Sequence, residues 1–250
     1  MGLWSGLHSR YGKCKKISLS FCKPFLDRGN ISAFMTPSPL LHIDVPLLVR
    51  GGRPLLQNFS LQVSCGDSVH ITGPNGVGKS SLLRAMAGLL PFEGGHLIRT
   101  PSVFFLPTER DMPDGQTGKA YLTLWQAFEN HVLKDERPLP SLVSETTEDL
   151  FLPKKILNQP IHRLSSGMQQ RVRLSRLAQT RSHLWILDEP WQSLDHHAVG
   201  ILDDCIARHT ARGGAVVWTH HGHRSFPFQP RIMDLFDFVP ATETEDPWPF

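Results

Sequence analysis

The sequence predicts an α/β fold built on a mostly parallel sheet, and three observations carry that prediction. Short β-rich runs alternate with helix-like stretches along the chain. Two of those runs, Leu184 to Leu187 and Ala215 to Trp218, are apolar at every position, the pattern of strands covered on both faces. A glycine-rich loop stands between a strand-like run and a helix-like one.

The elements follow in order. Leu40 to Val49 and Leu55 to Val63 read as two strands, with Gly51, Gly52 and Pro54 marking a hairpin between them. Ser68 to Thr72 is a short strand that ends at the glycine loop. Ser80 to Leu90 has helical spacing through Leu82, Leu83, Met86, Ala87 and Leu90. Val103 to Leu106 is another strand. Gly118 to Lys134 forms an amphipathic helix with Leu122, Trp125, Phe128 and Val132 on one face, and a further helical patch lies at Glu145 to Leu152. Ser166 to Thr180 is a helix that starts at Ser-Ser-Gly. Leu184 to Leu187 is a strand ending at two carboxylates, and His196 to His209 is a helix with Val199, Leu202 and Ile206 spaced for burial.

Composition bounds the class. A chain of 250 residues fits one large domain, or one domain with an appended subdomain. With 40% hydrophobic and 20% charged residues it can fill a core. The net charge of +3 does not by itself argue for a nucleic-acid binder. Cys14, Cys22, Cys65 and Cys205 are scattered without a C-x-x-C pair, which gives no zinc site and no disulfide framework and suits a reducing compartment. No apolar run approaches the ~20 residues of a membrane span.

The ends read differently from the middle. In residues 1–35, Arg10, Lys13, Lys15, Lys16, Lys23 and Arg28 face a single acid, Asp27, amid several serines. This reads as an organelle transit peptide, as a disordered tail, or as the result of a start codon placed too early, since Met35 stands just before the first strand. After Pro240 the chain is a polar, acidic tail.

The strongest local pattern is GPNGVGKSS, comprising Gly73, Pro74, Asn75, Gly76, Val77, Gly78, Lys79, Ser80 and Ser81. It matches G-x-x-x-x-G-K-[ST], the P-loop. Glycines let the backbone turn tightly, successive N–H groups cradle phosphate oxygens, and the following helix adds the positive end of its dipole. Lys79 can neutralise β and γ phosphates, and the Ser80 hydroxyl can ligate Mg²⁺. Downstream, LWILDEP carries Asp188 to a strand end, where it can hold Mg²⁺, and Glu189 next to it, where a carboxylate can activate the attacking water.

Between these two lies LSSGMQQR, Leu164 to Arg171, which resembles the L-S-G-G-Q signature of the ATP-binding cassette (ABC) ATPases. SLD, Ser193 to Asp195, resembles that family's D-loop, and WTHH sets His220 where the family has its switch histidine. Thirteen histidines are present, and His220, His221 and His223 also read as a chance cluster or a metal tract. The occurrence of these motifs in the family's order makes the resemblance specific over about residues 38–225.

The resemblance implies a P-loop NTPase of the ABC type, with a mostly parallel sheet and a helical subdomain at about 113–165. It implies an ATPase using ATP and Mg²⁺, with Glu189 and His220 catalytic and Ser80 and Asp188 on the metal. Ser165, Ser166, Gly167 and Met168 would bind the γ-phosphate of ATP held by a second, identical cassette, and Asp195 would communicate across that dimer. The implied domain is 38–239, after an extension at 1–37 and before a tail at 240–250.

Three features depart from the family. Ser166 replaces a signature glycine and Met168 a glutamine. The Q-loop glutamine does not stand directly after Val103 to Leu106: counting from the strand points to Thr108 or Glu109, counting back from LTLW points to Gln116, and the loop is either degenerate or lengthened. No aromatic near Leu47 to Arg50 stands ready to stack on adenine.

Residues 181–221 and the opening LQVSCGDSVHITGPNGVGKSSLLRAMAGLLP are also similar to the haem-exporter ATPases of c-type cytochrome maturation. That resemblance implies docking on integral membrane permease subunits at the cytoplasmic face of the inner membrane. An organelle inner membrane applies if the extension is a transit peptide. No direct nucleic-acid partner is expected. An ATPase of another ABC transporter and a soluble ABC ATPase stay open beside this reading.

Overall fold

The computed structural model describes residues 39–240, apart from 101, 110–111, 114, 133–151, 153 and 223. Its strands are β1 (Leu41–Arg50), β2 (Arg53–Val63), β3 (Ser68–Thr72), β4 (His96–Arg99), β5 (Val103–Leu106), β6 (Leu184–Leu187), β7 (Ala215–Thr219) and β8 (Arg231–Asp234). Its helices are α1 (Lys79–Met86), α2 (Gly118–Val132), α3 (Lys154–Leu157), α4 (Ser166–Leu174), α5 (Arg176–Gln179) and α6 (His196–Ala211).

Two sheets form. The larger is parallel throughout, in the order β5-β6-β7-β3-β8. The smaller is antiparallel, β2-β1-β4. The parallel sheet has a core on each face, and the period of two residues sorts side chains between them. From β6, Leu184 and Ile186 join α1, β1 and β2 in one core; Trp185 and Leu187 join Leu174, Leu177, Leu202 and Ile206 in the other. Ala215 and Val217 of β7 divide from Val216 and Trp218 in the same way. A third cluster gathers Tyr121 and Leu122 of α2 with Ile161, Leu164 and Val172.

The expected strands form with their ends moved by a residue or two, and two short ones, β4 and β8, are additional. Each has only four residues and exposed positions, so neither carries a strong apolar pattern. The helix expected at Ser80 to Leu90 spans Lys79–Met86. Gly88 is left-handed at φ 73°, and Leu89 N–H returns to the Arg84 carbonyl at 2.8 Å, which closes the helix. The single helix expected at Ser166 to Thr180 divides at Ser175, whose hydroxyl donates to the Arg171 carbonyl at 2.8 Å. The N-terminal extension, the tail after 240 and all but the end of the patch at Glu145 to Leu152 lie outside the described residues.

Candidate nucleotide-binding site

The P-loop links β3 to α1. Gly73, Gly76 and Gly78 take φ values of 135°, 81° and 114°, a region closed to most L side chains. A Cβ on Gly78 would also press on Leu55 at 3.3 Å. The loop therefore needs glycine both for its dihedrals and for its packing on β2. Lys79 opens α1 and is buried, with Nζ donating to the carbonyls of Gly73 at 2.8 Å and Pro74 at 3.0 Å. Burial lowers the Lys79 pKa, while Glu189, Asp188 and Asp234 oppose that shift.

β6 lies between β5 and β7 and is buried at every residue. It delivers Asp188 and Glu189 to the sheet rim beside the loop. Asp188 N–H continues the ladder to the Leu106 carbonyl at 2.8 Å. Thr219, at the end of β7, fixes both acids. Its hydroxyl donates to Asp188 Oδ1 at 2.6 Å and accepts from Glu189 N–H at 3.0 Å. Glu189 sits at φ 51°, an uncommon conformation for a residue with a side chain, and its carboxylate accepts from His221 N–H at 3.0 Å. Burial raises the Glu189 pKa.

These groups open on one cavity of about 420 Å³. Asn75, Lys79, Ser80, Asp188, Glu189 and Gln192 line it, together with Thr108, Glu109 and His221. Of the three Q-loop candidates, Thr108 and Glu109 reach the cavity. Gln116 lies elsewhere, its backbone carbonyl accepting from Ile161 N–H at 2.8 Å. His220 Nδ1 stands 3.8 Å from Glu189, and its ring packs edge-on against Trp191 and Phe226. Burial lowers its pKa, and the neighbouring Arg224 and His221 act in the same direction, which favours the neutral imidazole. His221 is the histidine that lines the cavity, with Nε2 3.2 Å from Glu189 Oε1.

The signature stands apart from this cavity, at the N-terminus of α4. Ser165 caps the helix by accepting from Met168 N–H at 3.3 Å. Ser166 and Met168 are exposed. A Cβ on Gly167 would come within 2.6 Å of the Ser193 carbonyl, so the signature and the D-loop touch only because glycine is there. Asp195 caps α6, accepting from Ala198 N–H at 2.9 Å, and pairs with Arg171 of α4.

Sequence patterns did not single out the polar residues that tie α4 to the site. Gln170 donates to the Pro190 carbonyl at 3.0 Å. Arg173 donates to Gln170 Oε1 at 2.8 Å and to the carbonyls of Pro107 and Glu109 in the loop after β5. Their spacing of three residues puts both on one helix face, and polar residues on the inward face of a helix are the signal they leave.

A strand–loop–helix phosphate cradle facing a strand-end carboxylate pair defines a P-loop NTPase. The family model described as "ABC transporter" matches residues 56–192. Among curated relatives, the "Cytochrome c biogenesis ATP-binding export protein CcmA" of Idiomarina loihiensis is 35% identical over 74% of this chain and 87% of its own length. The protein of the same name from Novosphingobium aromaticivorans is 38% identical over 69% and 83%, and that from Pseudomonas fluorescens is 34% identical over 79% and 97%. Among solved structures, a Pyrococcus furiosus protein titled a putative ABC transporter ATP-binding protein superposes with a TM-score of 0.61 at 21% identity, covering 80% of this chain and 99% of that one. A dimeric ATP-binding cassette bound to ADP and Pi gives 0.64 at 20% identity, covering 78% and 94%. The chain belongs to the ABC transporter family, within the group of these CcmA export ATPases. It is an ABC-type ATPase.

Two outcomes follow from this geometry. Thr219→Val leaves a buried Glu189 N–H unpaired and should cost about 1–3 kcal/mol in urea unfolding, whereas Thr219→Ser should stay close to wild type. Equal losses in both variants would show that the hydroxyl is not what matters. The raised Glu189 pKa means that the folded state binds this proton more tightly than the unfolded chain does. Its stabilising contribution is complete below the ordinary value of 4.5 and is lost as pH rises through the folded value. Glu189→Gln, which never ionises, should therefore be more stable than wild type at pH 7, and the difference should shrink toward pH 4.5. Denaturation midpoints of the two proteins across that window test the sign.

Proposed function

We propose that this chain works as a dimer of cassettes whose ATP cycle drives a membrane complex in cytochrome c maturation, the haem-linked export or chaperone-release step. The observation that carries the reading is the convergence of Lys79 and Ser80 with Asp188 and Glu189 on one cavity. The printed names of the relatives, ATP-binding export proteins of cytochrome c biogenesis, support the pathway.

In this reading the amides of Gly73 to Ser81 and the Lys79 ammonium bind the phosphates. The Ser80 hydroxyl and the Asp188 carboxylate are hard oxygen donors on the same cavity, which suits Mg²⁺. Bound there, Mg²⁺ supplies charge neutralisation to the β and γ phosphates. Glu189 takes the proton of the attacking water, and its raised pKa suits that task. His220 and the cavity-facing His221 flank the Glu189 carboxylate and keep it oriented toward the γ-phosphate. The exposed α4 N-terminus, with Ser165, Ser166, Gly167 and Met168, meets the γ-phosphate on the partner cassette, and Asp195 holds the D-loop against α4.

Residues 38–239 form the nucleotide-binding domain, with the helical subdomain at about 113–165. Among the described residues no helix is long and apolar enough to cross a membrane. In this reading, which follows the export-protein names of the relatives, the chain works as a peripheral subunit on the cytoplasmic face of an inner membrane. Integral permease subunits are the partners, and nucleic acid is not.

Paired variants test the site. Glu189→Gln should retain ATP binding and accumulate as an ATP-bound dimer in size-exclusion light scattering, while turnover falls by at least about 100-fold. Lys79→Ala should instead lose nucleotide affinity. Wild-type turnover in the first or wild-type affinity in the second overturns these roles. For the pathway, deleting the gene should lower haem-stained cytochrome c, and wild type but not Glu189→Gln should restore it. Unchanged cytochrome in the deletion strain discards the pathway and leaves the ATPase.

A further inference from the structure

The antiparallel sheet carries a second cluster of donors, away from the nucleotide cavity. Along β1 the side chains of Leu41, Ile43 and Val45 enter the core, so His42 and Asp44 share the opposite, solvent-facing side. The antiparallel register sets His96 of β4 directly across from Asp44. Among the described residues, this is the one group of three histidine, cysteine or acidic side chains whose donor atoms all lie within 4.8 Å of one another.

The spacing is close to what a metal requires. His96 Nε2 is 3.0 Å from Asp44 Oδ2 and 3.4 Å from His42 Nδ1; the other nitrogen of the His42 ring, Nε2, is 3.6 Å from Asp44 Oδ2, and one donor atom from each residue lies within 4.8 Å of the other two. Ligand atoms about 2.0–2.1 Å from a tetrahedral ion are about 3.3 Å apart. His96 Nε2 thus faces a carboxylate oxygen and an imidazole nitrogen together. One proton on that nitrogen serves one of the two; a cation between the three serves all of them.

The carboxylate is also prepared from its other side. Ser60 of β2 pairs with Asp44 in the antiparallel register, so its hydroxyl stands beside the carboxylate on the same face of the sheet. Such outer-shell partners orient ligands in protein metal sites. Gly95 lets β4 come close at this point, because a Cβ there would overlap the Asp44 carbonyl oxygen.

We propose that His42, Asp44 and His96 form a binding site for a late first-row divalent cation of the Zn²⁺ type, with its fourth position open to solvent. Two imidazoles and one carboxylate favour such an ion over Mg²⁺, which takes oxygen donors in an octahedral shell. The ion would bolt β4 to β1. None of the three ligands lines the nucleotide cavity, so occupancy is independent of ATP.

The test uses the full-length protein stripped with EDTA. Zn²⁺ is titrated in competition with a chromophoric chelator, and Co²⁺ binding is followed by its visible absorption. Wild type should bind one equivalent more than His96→Ala and develop a four-coordinate Co²⁺ spectrum that His96→Ala and Asp44→Asn lack. Ser60→Ala should keep the equivalent with about 10–100-fold weaker affinity. Added Zn²⁺ should raise the melting temperature of wild type and not of His96→Ala. All three ligands are at least partly exposed, so circular dichroism of the variants should match wild type. Equal stoichiometry and affinity in wild type and His96→Ala would overturn the site by assigning any bound Zn²⁺ to other histidines.

Discussion

Two adjacent carboxylates at the end of a strand buried on both faces set the problem that the rest of the site solves. Removing a carboxylate from water is costly unless hydrogen bonds or cations replace its hydration. Asp188 and Glu189 are both largely buried. Thr219 reaches them from the neighbouring strand, the His221 amide meets Glu189 from the next loop, and the Lys79 ammonium stands close enough to influence both. Each of these groups is where it is because β3, β6 and β7 run parallel and end at the same rim. The sheet topology is thus an electrostatic arrangement as well as a packing solution.

Helix α4 extends that arrangement outward. Its first turn is the exposed signature, and its inward face carries Gln170 and Arg173. Gln170 holds the carbonyl of Pro190, next to Glu189, and Arg173 holds the loop after β5 that carries Thr108 and Glu109. Near its start, Gly167 touches the Ser193 carbonyl and Arg171 pairs with Asp195. One short helix therefore contacts the loop beside the acids, the Q-loop segment and the D-loop at once. A displacement at its N-terminus would be felt in all three through direct hydrogen bonds.

Much of this was legible in the sequence, and the reasons are physical. The P-loop and the strand-end acids are contiguous motifs whose chemistry depends on local spacing, so one sequence suffices to find them. The parallel sheet announced itself through runs such as Leu184–Leu187, apolar at every position. What escaped was whatever depends on distant partners. β4 and β8 are four-residue edge strands that exist because β1 and β3 offer them hydrogen bonds. Which of His220 and His221 faces the cavity depends on backbone direction after β7, which adjacent identical residues do not reveal. Thr219 lay within a recognised run, but its bridge to two acids crosses 30 residues of chain. His42, Asp44 and His96 left no motif at all, because β-sheet register alone brings His96 to the other two.

The placement of β3 has a consequence for how the protein is made. Its partners in the sheet are β7 and β8, and Ser68 accepts a hydrogen bond from the Trp218 indole across 150 residues. During synthesis the phosphate loop therefore emerges early, on a strand with no neighbour in its own sheet. It must wait for nearly the whole domain before that strand is clamped from both sides. Nascent chains halted before residue 231 lack one clamp altogether. A phosphate loop held on both sides is thus a property of the finished domain alone.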